Sequence, residues 1–367
     1  MKRRAFLILL ASIIFSNMEF MHQILQGNCL DVMNTFPDNH FNCIVTDPPY
    51  GIQFMSNAWD KQVPGIEYWQ ELLRICKPGT MALVFGGTRT YHRLACALED
   101  AGWQIRDCIM YLYGSGFPKS NNFGKKIGAE WAGYGTALKP AYEPIILAMK
   151  PLDETFANNA IKWGVGGINI DDSRIQRNEE CKLMKKQMQI NSIFVQSGRF
   201  EDTTELKPNG RWPANLLLDE ESAEQLDEMT GILKSGSGNR RPNGGGEMFN
   251  GFNPMEANFP SSSGGASRFF YCAKSSSKER GKGNSHPCVK PIKLLEYLIK
   301  LLAPPKDALL LDPFLGSGSL LLACKNLRIK AVGIELSEEY CKIAEERLSR
   351  HPNPSDVRSY SNDRILP

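Results

Sequence analysis

The sequence predicts an α/β fold, a sheet of largely parallel strands with helices on both faces. Three observations carry that prediction. From His22 to about Pro151, short apolar runs alternate with stretches of helical periodicity. The same alternation returns at His286 and runs to about Arg350. Residues 152–285, between the two blocks, are polar and weakly periodic. Alternating strands and helices with short connections belong to sheets whose faces are covered by helices. The second block has too few strands for a sheet of its own, so it is expected to complete the sheet of the first.

In order, His22-Gln23-Ile24-Leu25 reads as a first strand, and Phe41 to Thr46 as a buried strand ending at Asp47. Trp69 to Cys76 is expected to be helical and to stop at Lys77-Pro78-Gly79, a breaker. Met81 to Phe85 is the next strand, closed by Gly86-Gly87. Thr90 to Ala101 carries apolar residues at 94, 97, 98 and 101, the stripe of an amphipathic helix that Gly102 ends. Asp107 to Tyr113 and Glu143 to Met149 are further strands. In the second block, Ile292 to Ala303 is a helix broken by Pro304-Pro305, and Ala308 to Leu311 a buried strand leading into Asp312. Ser317 to Asn326 is expected to be helical and Lys330 to Ile334 to be a strand. Ser337 caps a last helix to Ser349, with Glu338 and Glu339 favourable in its first turn.

Composition narrows the class. With 42% hydrophobic and 10% aromatic residues the chain can bury a substantial core. A net charge of +3 is compatible with a nucleic-acid partner without indicating one. The ten cysteines are scattered with no Cys-x-x-Cys pair, so neither a zinc site nor a disulfide framework is expected, and reduced thiols suit a cytoplasmic location. Lys2, Arg3 and Arg4 precede an apolar run, Ala5 to Phe15, of about signal-peptide length. No small-x-small cleavage site accompanies it, so residues 1–20 are read as an extension arising from a mis-assigned start, with translation beginning at Met18 or Met21. No other segment approaches the roughly 20 apolar residues a spanning helix needs, and no membrane partner is expected. The expected units are therefore 1–20, 21–151, 152–285, 286–350 and a disordered tail, 351–367. Within the middle region, Ser235 to Ser267 is rich in Gly, Ser, Asn and Pro, and residues 235–285 carry seven Lys/Arg against three Asp/Glu. A loop region this long in a compact protein is usually functional or disordered.

Two short segments carry chemistry. Asp47-Pro48-Pro49-Tyr50 follows an apolar strand directly and is followed by Gly51. The Asp47 carboxylate and the Pro48 carbonyl can both accept N–H bonds, and the Pro-Pro unit stiffens the loop that holds them. Such a pair suits an exocyclic amino group, whose lone pair is freed when both hydrogens are held and the nitrogen becomes pyramidal. Pro49 belongs to the same rigid unit, and Tyr50 offers a flat face for stacking on a base drawn out of a duplex. Asp312-Pro313-Phe314-Leu315-Gly316-Ser317-Gly318 ends a strand and opens a helix, where glycines let a ligand approach the backbone. Gly316 and Gly318 are the close-approach candidates, Ser317 lies between them, and Phe314 can line a pocket. Glu335 ends the next strand and can bond both ribose hydroxyls of an adenosine moiety. A dinucleotide-binding fold would share this geometry, but the glycine spacing is not Gly-x-Gly-x-x-Gly.

These segments, with Phe85 to His92, Gly114 to Lys119, Leu138 to Pro144 and His286 to Pro291, resemble the permuted β-group DNA N6-adenine/N4-cytosine amino-methyltransferases, especially phage and prophage versions. The likeness runs from about 22 to 349. Most enzymes that use S-adenosylmethionine (SAM) place the Gly-rich loop first; here the order is reversed. The resemblance implies a Rossmann-like mixed sheet with helices on both faces, a circularly permuted motif order and an irregular target-recognition insertion. It implies SAM as cofactor and double-stranded DNA as partner. The expected roles are Asp47, Pro48, Pro49 and Tyr50 in catalysis, and Asp312, Pro313, Phe314, Gly316, Ser317, Gly318 and Glu335 at the donor. Lys290 is expected to face the donor's carboxylate. Asn28, in Gln26 to Asp31, stands where the family normally carries Asp, and Cys288 where it usually has Thr. Asp before Pro-Pro-Tyr favours adenine N6 over cytosine N4, since Ser is commoner in the cytosine enzymes. A homodimer and a partner restriction endonuclease remain open. Two rivals stand beside this reading: a protein-glutamine or RNA amino-methyltransferase, whose donor loop normally lies upstream, and a SAM-binding DNA-binding relative without activity.

Overall fold

The structure, a computed structural model, describes residues 21–52, 60–116, 118, 120–176, 210–235, 238–239, 258–259, 262–273 and 289–351. The extension 1–20, Trp59, Lys119, residues 286–288, most of Ser235–Ser285 and the tail from 352 lie outside them.

A nine-stranded sheet organises the chain. Its strands are β1 (His22–Gln26), β2 (Cys43–Thr46), β3 (Met81–Phe85), β4 (Gln104–Leu112), β5 (Tyr142–Met149), β6 (Leu216–Asp219), β7 (Tyr271–Ala273), β8 (Leu309–Asp312) and β9 (Lys330–Glu335). The spatial order is β1-β9-β8-β2-β3-β5-β4-β6-β7. The two distant α/β blocks meet where Leu310 pairs with Cys43 and Leu311 with Ile44, so they complete one sheet. All pairings are parallel except those of β5, which runs antiparallel to both β3 and β4. The sheet is therefore mixed.

Alternation along the strands sends side chains to two cores. Cys43, Val45, Met81, Leu83, Phe85 and Leu310 face one side, where α7 (Ile292–Leu302) and α8 (Ser319–Leu327) cover them. Ile44, Ala82, Val84, Leu311 and Val332 face the other, against α1 (Cys29–Met33), α2 (Ile66–Ile75) and α3 (Tyr91–Asp100). Trp69 of α2 is fully buried there, and truncating such a side chain costs about 3–5 kcal/mol. A last helix, α9 (Glu338–Arg350), starts at the Ser337 cap as the sequence predicts.

The middle region differs from its sequence reading. Part of 152–285 is regular: α5 (Phe156–Trp163), β6 and α6 (Glu220–Thr230) are ordered elements, and β6 and β7 extend the main sheet beyond β4. Asp219 ends β6 and caps α6 through a reciprocal bond pair with Ser222. Strands of four and three residues are too short to show a period; pairing of β6 with β4, and of β7 with β6, is what defines them.

Candidate active site

The site is assembled along one edge of the sheet. β9, β8, β2 and β3 are neighbours and parallel, so their C-terminal ends lie side by side. Glu335 ends β9, Asp312 ends β8, Asp47 directly follows β2 and Phe85 ends β3. Open α/β sheets bind ligands at this edge. Because β5 is antiparallel, its first residues reach the same edge: Phe85 pairs with Ile145, and Tyr111 with Glu143. Glu143 thereby joins a site that its sequence segment did not announce.

Asp47 sits in a network of four side chains. Tyr50 Oη donates to Asp47 Oδ1 at 2.8 Å. Lys290 Nζ lies 2.9 Å from Asp47 Oδ2, donates to Tyr50 Oη at 3.1 Å, and lies 3.2 Å from Glu143 Oε2. The same ammonium lies 4.9 Å from the centroid of the Phe85 ring. Burial alone would push the Lys290 ammonium down, but Asp47, Glu143 and Tyr50 raise it well above the ordinary lysine value. Burial pushes the Glu143 carboxyl up; Lys290 opposes this and the Asp47 charge adds to it. The Lys290 ammonium, expected to face the donor's carboxylate, contacts Asp47, Tyr50 and Glu143 and lines the cleft.

The loop is pinned from both sides. Thr90 Oγ1, at the start of α3, donates to the Tyr50 carbonyl at 2.6 Å. Gly51 N donates to the buried Asp60 carboxylate at 2.8 Å. Gly51 has φ +67°, and a Cβ there would sit 2.9 Å from the backbone nitrogen of Val63. A glycine is needed at that turn.

On the other flank, Asp312 is buried and accepts from Thr46 Oγ1 at 2.7 Å and from Phe314 N at 3.1 Å. Burial pushes its carboxyl up to about 7, against the two hydrogen bonds. Glu335 Oε2 accepts from Gly316 N and Oε1 from Ser337 N, each at 2.8 Å. Burial raises its pKa as well. The Phe314 ring packs near Tyr68 and Trp69, with centroids 6.3 and 6.4 Å away. Asn28 Oδ1 accepts from Leu30 N at 2.9 Å and caps α1.

A single cleft of about 1620 Å³ runs along this edge. Asn28, Asp47, Pro48, Pro49, Tyr50, Lys290, Asp312, Pro313, Phe314, Gly316, Ser317 and Glu335 all line it. Gly318 stands apart: at φ +80° it caps α8, and a Cβ there would come within 2.8 Å of Ala344 Cβ on α9. It serves helix packing. Glu143, Tyr111 and Tyr113 line the cleft without having been singled out as site residues. For Glu143 the available signal was a carboxylate opening a run, Pro144 to Met149, that is otherwise buried. Arg89 and the exposed Leu138 lie at the cleft, and Lys125 and Lys126 sit on α4 (Phe123–Ile127). Among the described residues no helix is long and apolar enough to cross a membrane.

The family model N6_N4_Mtase, described as DNA methylase, matches residues 41–346. The Type II methyltransferase M.HpaI of Haemophilus parainfluenzae is 34% identical over 110 residues, which span 30% of this chain and 32% of that protein. The Type II methyltransferase M.HindIII of Haemophilus influenzae is 23% identical over 321 residues, 81% of this chain and 75% of that protein. Among solved structures, the cytosine-N4-specific PvuII DNA methyltransferase aligns with a TM-score of 0.46 at 13% identity, over 92% of each chain.

Proposed function

We propose, because this chain belongs to the N6_N4_Mtase family of DNA methylases, that it methylates the N6 amino group of an adenine drawn out of double-stranded DNA. The observation that carries the reading is the Asp47 carboxylate, fixed by Tyr50 and Lys290 beside the Pro48-Pro49 unit in the open cleft. Asp at this position, rather than Ser, is the reason to favour adenine over cytosine N4.

The family's methyl donor is SAM, and the residues present suit it. Glu335 uses one acceptor site on each oxygen for Gly316 and Ser337, and a carboxylate oxygen has a second to offer a ribose hydroxyl. Phe314 supplies an aromatic wall, and the left-handed turn at Gly316, φ +56°, exposes backbone to the cleft. When bound, SAM supplies an electrophilic methyl group carried on a sulfonium. The chain's own residues do the rest. Asp47 and the Pro48 carbonyl take the two amino N–H groups, Tyr50 stacks on the base, and Asp47 assists loss of the amino proton. Holding both reactants in line contributes much of the acceleration.

Incubation of the purified chain with methyl-labelled SAM and duplex DNA, followed by nucleoside mass spectrometry, tests this directly. N6-methyladenine is the expected product, and N4-methylcytosine would transfer the reading to the other base. Asp47→Ala is expected to abolish transfer while SAM binding persists; undiminished activity would refute the assigned mechanism.

A further inference from the structure

Glu143 occupies an unusual place for a carboxylate. It is the second residue of β5, a strand whose next six residues are buried, and its side chain is only 22% exposed. Burying a charge is costly unless it is paired. Its partner is Lys290, whose Nζ lies 3.2 Å from both Glu143 oxygens. That same ammonium also serves Asp47, at 2.9 Å. Two carboxylates thus share one cation, and the cluster carries a net charge of about −1 by formal count, as Tyr50 is held neutral by burial and by the two acids beside it.

We propose that Glu143 is a positioning and counter-charge residue of methyl transfer: it shares the Lys290 ammonium, so that Asp47 keeps an acceptor for the amino group. The inference rests on the methyl-transfer reading above. With Asp47 and Lys290 alone the cluster would be a neutral pair, and the lysine would draw on Asp47 undivided. Glu143 divides that pull. It also leaves the site negative at the moment when the attacking nitrogen gains positive charge, and pre-placed charges facing a developing one are a large source of catalysis. The antiparallel turn of β5 supplies the placement, since a parallel strand here would present its C-terminal residue, Met149, at this edge. Tyr50 Oη also lies 3.5 Å from Glu143 Oε1.

The test compares Glu143→Gln and Glu143→Asp with the unaltered chain, in single-turnover methylation of duplex DNA and in calorimetric binding of SAM. Glu143→Gln is expected to lower the transfer rate ~10- to 100-fold, with SAM affinity within about twofold. Glu143→Asp should recover part of that loss. Recovery by the shorter side chain, which restores the charge while fitting the space less well than Gln, is an ordering that a simple loss of packing does not produce. Transfer by Glu143→Gln within twofold of the unaltered chain overturns the inference and leaves the functional reading intact, as does a Glu143→Asp variant no faster than Glu143→Gln. An unaltered chain that binds SAM yet methylates neither base of any DNA overturns the functional reading and this inference with it.

Discussion

Lys290 Nζ and Asp47 Oδ2 are 2.9 Å apart, and this contact joins the two sequence blocks at the point where chemistry is expected. Lys290 lies just before α7, on the later block, whereas Asp47 leaves β2 of the earlier one. The sheet pairing of β2 with β8 brings their ends together, and the ion pair then sets the orientation of the carboxylate. Folding of the sheet and preparation of the site are therefore one event: a chain whose blocks fail to pair has no oriented Asp47.

Lys290→Met is expected to destabilise the protein by about 3 kcal/mol, the usual scale for removing one partner of a buried pair. Lys290 is 12% exposed, and its loss leaves Asp47 and Glu143 facing one another uncompensated. Burial already pushes the Glu143 carboxyl up, and without the Lys290 ammonium nothing opposes that rise. An acid raised in this way favours folding while protonated, and that contribution fades as pH climbs through the folded value. The stability deficit against the unaltered chain should thus be widest above pH ~7 and narrow toward pH ~5. Melting temperatures across that range check the claim, and a deficit independent of pH would count against it.

Tyr50→Phe separates stacking from hydrogen bonding. The ring stays, but the hydroxyl that donates to Asp47 at 2.8 Å and accepts from Lys290 at 3.1 Å is lost. A hydrogen bond to a charged group is worth about 1.5–3 kcal/mol, so kcat should fall ~10-fold or more with the KM for DNA little changed. Tyr50→Ala should raise that KM as well. Steady-state kinetics on one duplex distinguish the two outcomes.

Much of the fold was legible because its central strands are short apolar runs bounded by breakers; Met81–Phe85 matches residue for residue. Strand direction was not legible. An apolar run looks the same read either way, so nothing in Tyr142–Met149 shows that β5 is antiparallel, and Glu143 reaches the cleft only through that direction. Lys290 illustrates a second limit: its role depends on Asp47 and Glu143, which lie far away in the chain and next to it in space. Asp312, Gly316 and Glu335 were easier to place together, since each sits at or just after the end of a strand that the sequence shows. Gly318 shows where local reasoning overreaches, as its glycine character answers to α9 packing.

Gly318→Ala is accordingly expected to cost stability before it costs donor binding. A left-handed φ of +80° is unfavourable for an L-residue by ~1–2 kcal/mol. The new methyl would also press on Ala344 Cβ at 2.8 Å. A loss of about 2–3 kcal/mol in denaturant unfolding is the expected sum. Unaltered unfolding accompanied by a tenfold weaker SAM affinity would return Gly318 to the donor site.

Asn28→Asp should change stability by less than ~0.5 kcal/mol, because Asn and Asp cap helices almost equally well. The side-chain oxygen that accepts from Leu30 N at 2.9 Å is present in both. Asn28→Ala should cost about 1 kcal/mol. Chemical denaturation of the three chains measures this directly, and a large gain with Asp would show that the missing charge matters to the fold.

Asp312 is the acid whose titration the fold controls most visibly. Burial raises it from an ordinary 3.8 to about 7, in spite of the bonds from Thr46 and Phe314. A carboxyl raised on folding binds its proton more tightly in the native state. It therefore contributes stability while protonated and loses that contribution as pH rises from about 4 through about 7. Asp312→Asn keeps an oxygen acceptor for Thr46 Oγ1 and Phe314 N but cannot ionise. Its melting temperature relative to the unaltered chain should consequently be more favourable at pH ~8 than at pH ~5. Calorimetry at the two pH values gives the comparison, and parallel pH slopes for the two chains would show that Asp312 does not titrate as its burial requires.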